Sequence, residues 1–437
     1  MNIFIFCGPL AFGKGGMEKV AAGLANFLSK NNNVTVGFFC RENQVVPAYQ
    51  LDKRVIQAPW SFREVGSRRA YSKRVFDSNP HVFIYFGASS QSIQVVSLLY
   101  GSDIPLIIHE GSNPDRVITT NWADVRKISR YEAAWERELV YSQAAAVRFT
   151  MPEYLKSLSG SSLKSKAFAF PNAFNSLTKE NKRSKFNRII NIGGLKPNKN
   201  IKPLIIAFSH VVEKYPEWEL HVFSTRNKSP AGEFYISELE SLINSLCLKK
   251  NVFFREEVED INAEFINSDI HVITSLSEGL SNAVAEAMTN GVPTVGIENV
   301  PGVSGLIKNK VNGFLVSRKN LELSLIEALF TLVSDDRLRS KLSDQARKDS
   351  NVFNPDKIYN NWLELIDFSV AKKNNKYDES EFHYSHMAKV FYCSEVKGFE
   401  DQVDSQSYHQ SIKKILNTDC DLNKVEKHAK IHRWLNE

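Results

Sequence analysis

No apolar run in this 437-residue chain approaches the roughly 18 residues needed for a bilayer-spanning helix. The N-terminus enters an apolar strand pattern at once, without a charged leader or a small-residue cleavage site, so a cytoplasmic protein is expected. Cysteine is scarce and scattered: Cys7, Cys40, Cys247, Cys393 and Cys420 form no C-x-x-C pair, and their number is odd. That argues against a disulfide framework or a cysteine-built zinc site and fits free thiols used for packing in a reducing compartment. Charge of one sign is in small excess too. A net +6 over 437 residues is too mild for a nucleic-acid stripe, so no nucleic-acid partner is expected. What remains is an ordinary globular composition, 43% apolar and 24% charged, long enough for two or three cored domains.

The positive charge is unevenly placed. Residues 61–75 hold Arg63, Arg68, Arg69, Lys73 and Arg74, and residues 116–130 add Arg116, Arg126, Lys127 and Arg130, with Trp60, Phe62, Tyr71 and Trp122 among them. A solvated helix face has the greater weight, but basic and aromatic residues together also suit an anionic membrane or a phosphate-bearing acceptor, with Arg68, Arg69 and Lys73 as the candidates.

The stretch GPLAFGKGG at 8–16 has the Gly8, Gly13 and Lys14 spacing of a nucleotide-binding phosphate loop, but Gly15 stands where Ser or Thr would hold Mg²⁺. No apolar strand ends in a metal-binding Asp; HVFIYF and ELHVFS are followed by Gly87 and Thr225. The stretch reads as strand 2–7, a glycine-rich bend, then a helix from about Met17 with Met17, Val20, Ala21, Leu24 and Leu28 on one face. Such a bend either lets the chain turn or presents N–H groups to an anion.

To about residue 170, short apolar strands (NIFIFC, NVTVGFF, HVFIYF, PLIIHE, AAAVRFT) alternate with amphipathic helices, as in a parallel sheet covered on both faces. A polar segment follows at 170–188, and then a second series: RIINIGGL, ELHVFS, NVFFR, DIHVITS and PTVGI, separated by helical stretches such as 201–215 and 234–248. Two successive α/β sheets imply a cleft between them. The expected division is 1–175, 176–350, a crossover helix region at 351–370 and an extension of unknown role at 371–437. The extension holds His383, His386, His409, His428 and His432; no carboxylate or cysteine completes a ligand set with them, and Asp419-Cys420-Asp421 follows no strand, so no metal is expected.

The segment SLSEGLSNAVAEAMTNGVPTV at 275–295 carries the most chemistry. Glu278 and Glu286 are eight apart, and a helix starting near Ser281 puts Glu286 in its second turn, so both carboxylates can face the carboxyl edge of strand DIHVITS. The N–H groups of Gly279, Leu280 and Ser281 could hold a phosphate, and Glu286 could accept from two vicinal hydroxyls. Equally, Glu278 could be a cap and Glu286 a solvated side chain.

EGLSNAVAEAMxxGVPTV resembles the E-x7-E region of glycosyltransferase family 4, the retaining GT-B enzymes that use nucleotide-diphosphate sugars. GKGGMEKV resembles that family's G-G-x-E loop, PNAF at 171–174 the segment before its interdomain linker, and NIGGLKPNKN its G-R-L-x-x-x-K-N loop. NVFFREEVED resembles the base-binding turn and VNGFLV the strand after it. These stretches fall in family order across about residues 1–366.

The resemblance implies a GT-B fold, two Rossmann-like α/β domains facing a cleft. It implies Glu286 on the ribose hydroxyls, and Glu278 and His109 on the donor sugar. Gly16, Gly279, Leu280 and Ser281 would meet the diphosphate, Gly15, Gly194 and Asn282 would belong to the donor-binding set, Lys199 would neutralise the leaving group, and Glu257 and Val258 would flank the base. Glu110 and Asn113 would line the acceptor half. A lone His at a strand end is otherwise more often structural.

Three positions depart from the family pattern: Gly194 for the usual Arg, Ser224 to Arg226 for a glycine-rich turn, and Gly305 for a common acidic residue. With Arg missing, Lys199 would carry the diphosphate load, with Lys196 nearby. The resulting expectation is a retaining glycosyltransferase using a UDP-sugar or, alternatively, a GDP-sugar, with no cofactor or metal required. The acceptor would be a glycan or lipid-linked hydroxyl in bacterial lipopolysaccharide, O-antigen or capsule assembly, met at the inner membrane face. The alternatives are a silent sugar-binding scaffold, a nucleotide-sugar epimerase or a sugar phosphorylase; the last would need a pyridoxal-phosphate lysine or phosphate pocket that the sequence does not display.

Overall fold

The computed structural model describes residues 1–373 apart from Lys14, 42–44, 62–66, 88–91, 100–101, 115–139, 156–161, 176–185, 225–229, Glu257 and Glu259. Two parallel sheets organise it. The first contains β1 (Asn2–Cys7), β2 (Asn33–Cys40), β3 (Ile56–Ser61), β4 (Val82–Phe86), β5 (Leu106–Glu110), β6 (Ala146–Phe149) and β7 (Ala167–Ala169), in the order β3-β2-β1-β4-β5-β6-β7. Its described helices are α1 (Gly16–Leu28), α2 (Ser67–Asp77) and α3 (Ser92–Ser97). Near-continuous apolar runs such as VFIYF, every residue buried, suit strands covered on both faces.

The second sheet contains β8 (Arg188–Ile192), β9 (Glu219–Phe223), β10 (Val252–Arg255), β11 (Ile270–Ile273), β12 (Thr294–Ile297) and β13 (Gly313–Val316), in the order β10-β9-β8-β11-β12-β13. Around it run α4 (Lys202–Lys214), α5 (Pro230–Ser245), α6 (Ile261–Ile266), α7 (Asn282–Thr289), α8 (Pro301–Ser304), α9 (Leu321–Ser334) and α10 (Asp336–Asp349). The expectation of two Rossmann-like α/β units is borne out.

In both sheets the strand order reverses beside the first strand of the unit, between β1 and β4 and between β8 and β11. Crossovers on either side of such a point leave on opposite faces, so the carboxyl ends of those strands open into a crevice.

The last helix, α11 (Pro355–Lys373), returns to the first unit. Its Ile358, Trp362, Leu365 and Ile366 are buried in one cluster with Ile3, Ile5, Ile84 and Phe86, and Tyr359 stacks on Phe27 with centroids 4.3 Å apart. The outgoing and returning chains touch: Phe174 N–H donates to the Phe353 carbonyl at 2.9 Å, and the two rings meet edge to face.

Among the described residues no helix is long and apolar enough to cross a membrane. Cys7, Cys40 and Cys247 are unbridged. Cys7 is buried as a packing residue, whereas Cys247 is exposed at φ +54°, contrary to a packing role.

Candidate functional site

The loops at the two reversal points face each other. In the second unit, the chain after β8 turns through Gly194, whose φ of +92° lies in the left-handed region that side-chain-bearing residues avoid. An Arg here would be strained, which gives the departure at this position a backbone reason. Leu195 N–H then donates to Ser224 Oγ at 2.7 Å, and a 3-10 turn at Pro197–Lys199 closes on Asn200 at φ +53°.

That turn lays the Lys199 side chain along Gly193. Lys199 Nζ donates to Glu278 Oε1 at 2.6 Å, both side chains being largely buried. The Lys199 carbonyl is held by Thr274 Oγ1 at 2.9 Å and the Asn198 carbonyl by Leu276 N–H at 3.0 Å, so the loops after β8 and β11 form one surface.

Helix α7 starts at a Ser281 N-cap, as the sequence suggests, and places Glu286 in its second turn. The Ser281 N–H donates to the Gly302 carbonyl at 2.9 Å, so one of the amides read as phosphate donors already has a protein partner. The Leu280 side chain is buried in the core. Glu286 is buried, and Lys19 Nζ of α1 meets its Oε1 at 2.5 Å from the other unit. Burial pushes the Glu286 carboxyl above its ordinary value and Lys19 opposes that rise. Val258 packs against the apolar group of Ile190, Phe223, Phe265, Ala287 and Val292.

From the first unit, Gly15 is the N-cap of α1. The Glu18 carboxylate lies against it, bonded to its own backbone N–H. Burial raises the Glu18 carboxyl, while its backbone hydrogen bond and the charge of Lys196 from the second unit lower it. Gly16 abuts the Asn282 side-chain amide; a Cβ there would collide with it. Gly279 abuts the Gly111 carbonyl in the same way. Tyr154 Oη donates across the seam to the carbonyls of Glu278, at 3.0 Å, and Gly279.

His109 is the last residue but one of β5 and is buried. Its Nδ1 faces Arg148 Nη1 at 2.7 Å; burial, and then Arg148, hold the imidazole well below its ordinary value, so it is neutral. Asn113 lies half-buried in the following loop. Glu110, expected to line the acceptor half, is instead turned inward. It is buried and accepts from Ser112 N–H at 2.9 Å, Ser112 Oγ at 2.5 Å and Tyr141 Oη, bracing the loop.

The basic segment on α2 divides in the structure. Trp60 and Tyr71 are buried and stacked on each other at 4.8 Å, with Tyr71 Oη donating to the Ala58 carbonyl. Trp60 and Tyr71 fill the core beneath α2, so these two rings are not part of a surface patch, contrary to that expectation; Phe62 and Trp122 lie outside the described residues. Arg69 and Lys73 are exposed, and Lys73 pairs with Asp77 one turn on at 2.7 Å; Arg68 belongs to the same helix. Glu257, Lys14, residues 116–130 and the histidine-bearing tail lie outside the described residues. Among the described residues no group of three or more His, Cys, Asp or Glu side chains is placed to hold a metal.

The structure thus gathers Gly15, Gly16, His109, Lys199, Glu278, Gly279, Asn282 and Glu286 around one seam. Sequence reading missed Lys19, Arg148, Asn172 and Tyr154. Arg148 did leave a signal, as a lone cation inside the apolar strand AAAVRFT.

The family model described as Glycosyl transferases group 1 matches residues 174–349. A glycosyltransferase of Haemophilus influenzae named as uncharacterized is 28% identical over 194 residues; the match covers 44% of this chain and 53% of that protein, so the chain spans about half the length of this relative. A Campylobacter jejuni α-1,4-N-acetyl-D-galactosaminyltransferase, named for acting on a diphosphoundecaprenol-linked saccharide, is 25% identical over 80% of this chain and 95% of its own. Among solved structures, Anabaena Alr3699/HepE in complex with UDP and glucose superposes with a TM-score of 0.67 at 17% identity, over 84% of this chain and 99% of its own. Residues 174–349 therefore form a Glycosyl transferases group 1 domain, within a chain built from the two facing Rossmann-like units of the GT-B fold.

Proposed function

We propose that the protein is a retaining glycosyltransferase that moves a sugar from a UDP-sugar to a hydroxyl of a glycan or lipid-linked acceptor in bacterial surface-polysaccharide assembly. The observation that carries this reading is the pair of lysine–glutamate contacts, Lys199–Glu278 and Lys19–Glu286, at the carboxyl ends of reversal-point strands in two facing units. An anionic, hydroxyl-rich ligand with one diphosphate fits that alternation of cations and carboxylates. The name of the Campylobacter relative supports the acceptor class, and the ligands of the Anabaena neighbour support the donor class.

In this reading Glu286 takes the ribose hydroxyls, Val258 and Glu257 flank the base, and Gly15, Gly16, Gly194 and the 279–282 turn surround the diphosphate. Lys199, with Lys196 close by, neutralises the charge that grows on the leaving group. Glu278 and His109 contact the donor sugar, and Asn113 borders the acceptor.

The bond from the anomeric carbon to the diphosphate oxygen breaks as the acceptor oxygen bonds to that carbon on the same face. The acceptor's proton passes to the departing diphosphate. Closure of the seam keeps water from competing for the sugar. The residues Arg68, Arg69 and Lys73 hold the enzyme against an anionic membrane at its cytoplasmic face, where a lipid-linked acceptor for lipopolysaccharide, O-antigen or capsule would lie.

The test is a thermal-shift series with UDP, GDP, ADP and their sugars on the full chain, followed by assay of free nucleoside diphosphate on mixing donor with a polyprenyl-diphosphate-linked acceptor. Stabilisation by UDP and acceptor-dependent UDP release are expected. Binding without release would make the protein a scaffold, and neither would end the reading.

A further inference from the structure

We infer that Arg148 is a positioning residue for His109, and that Asn172 and Asn282 make this positioning depend on the two units being joined. The inference deepens the glycosyltransferase reading and rests on it for the role of His109.

Arg148 is fully buried in the middle of β6, yet its partners are not carboxylates. Nη1 meets His109 Nδ1 at 2.7 Å and donates to Asn172 Oδ1 at 3.0 Å; Nη2 donates to the carbonyls of Phe170 and Pro171, each at 2.6 Å. Phe170 and Trp362 rings cover it, with centroids 4.6 and 5.4 Å from the guanidinium carbon. Burial pulls Arg148 down to about 9, so it keeps its charge at neutral pH. Burying a charge with only neutral partners is costly, and an apolar side chain of this volume would fill the space more favourably. The placement therefore does something other than pack.

What it does follows from donor inventory. A guanidinium has no acceptor, so His109 Nδ1 must accept and the ring proton must sit on Nε2. Nε2 faces the Gly111 position, 3.1 Å from where a Cβ would stand. The Gly111 carbonyl abuts Gly279, so the N–H is held at the seam between the units. A neutral N–H fixed there before any ligand arrives is aimed at a sugar oxygen without reorganisation.

The same reasoning runs outward. Asn172 Oδ1 faces a pure donor, so its Nδ2 must point away, and it donates to Asn282 Oδ1 at 3.0 Å. Asn282 opens α7 of the second unit and abuts Gly16. Separating the units removes that partner, frees the Asn172 amide to rotate, and takes one fixed acceptor from Arg148. His109 is thus held hardest when the seam is shut.

The experiment compares the wild type with Arg148→Lys, Arg148→Met and Asn172→Leu in the full chain. The ¹⁵N signals of His109, assigned by their loss in His109→Gln, are followed from pH 5.5 to 8, and kcat and donor KM are measured with UDP-sugar. The wild type should show the Nε2–H tautomer without titration. Arg148→Met should mix the tautomers and lower kcat by about 100-fold with donor KM within about threefold, and Arg148→Lys should restore the tautomer and part of kcat. Asn172→Leu should keep the tautomer and lose about tenfold in kcat.

A folded Arg148→Met protein with the wild-type tautomer and kcat would overturn the inference. If that variant does not fold, an unchanged kcat in Asn172→Leu, or a wild-type His109 protonated on Nδ1, would overturn it. A wild type that turns over no donor would defeat the transferase reading, while the tautomer comparison would still decide the relation between Arg148 and His109.

Discussion

Lys19 and Glu286 lie 267 positions apart in the chain and meet at 2.5 Å, joining a helix of the first unit to one of the second. Glu286 is almost wholly shielded while Lys19 is partly open to solvent. Burial raises a carboxyl so placed above its ordinary value, and the lysine opposes that rise. UDP affinity should therefore fall as pH drops through the raised Glu286 value, because the protonated form loses an acceptor for the ribose. In Lys19→Met that fall should begin at higher pH, and in Glu286→Ala the Kd should rise by roughly tenfold or more. Calorimetric titration of UDP from pH 5 to 8 checks both; superimposed curves for Lys19→Met and wild type would contradict the assignment.

Lys199 is the cation nearest Glu278 among the described contacts. If it balances charge on the leaving diphosphate, Lys199→Met should lower kcat by about 100-fold or more, with a smaller change in UDP affinity. Single-turnover assays with saturating donor separate the two effects. An unchanged chemical step would assign the lysine to holding Glu278 alone.

Gly279 tests the seam itself. A methyl group there would run into the Gly111 backbone carbonyl, which cannot swing aside as a flexible side chain could. Gly279→Ala should widen the protein in small-angle scattering and cut turnover by about tenfold or more, while the melting temperature moves little. Wild-type scattering and turnover together would mean that the seam is not closed in solution.

His271 should shape the response to acid. It is buried on β11 with Nδ1 against Thr294 Oγ1 at 3.2 Å, and burial lowers it to about 3. The unfolded chain binds a proton near pH 6.5 that the folded chain refuses, so stability is greatest above that value and is lost as pH falls toward 3. The slope approaches about 1.4 kcal/mol per pH unit for this group. Urea melts at pH 7, 6, 5 and 4 should show that decline, and His271→Asn should flatten it, though starting from a lower stability.

Charge reversal on α2 addresses the membrane. Arg68→Glu, Arg69→Glu and Lys73→Glu together should weaken sedimentation with anionic vesicles by about tenfold or more at physiological salt, given roughly 1 kcal/mol per basic residue. Equal binding would remove this face from the proposal. With Trp60 and Tyr71 buried, those rings take no part, and the share of binding that Arg68, Arg69 and Lys73 supply should fade as salt rises.

Apolar runs and their spacing announced most strands, because a strand in a parallel sheet is buried on both faces and its sequence has little else to say. The omissions have physical causes. In β3, Pro59 and Gln57 interrupt the pattern, which is tolerated because β3 is an edge strand with one side unpaired. β7 is only three residues long. The carboxylates Glu278 and Glu286 were legible because both belong to one short stretch, the loop after β11 and the second turn of the helix that follows it. Their lysines were not, since the partners come from elements 79 and 267 positions away. Glu110 shows the limit from the other side: its position at a strand end was readable, but the hydroxyls of Ser112 and Tyr141 that turn it inward were not.

The outgoing and returning chains meet at Phe174 and Phe353, which gives the molecule a pivot with two covalent threads at one point. Rotation about that point sweeps distant loops far while hardly disturbing residues beside it. The same arrangement makes the first unit incomplete on its own: a fragment cut after residue 175 would expose the apolar floor on which Trp362 and Ile358 rest. Soluble production of that half should therefore require the last helix, supplied in the same chain or added as a peptide.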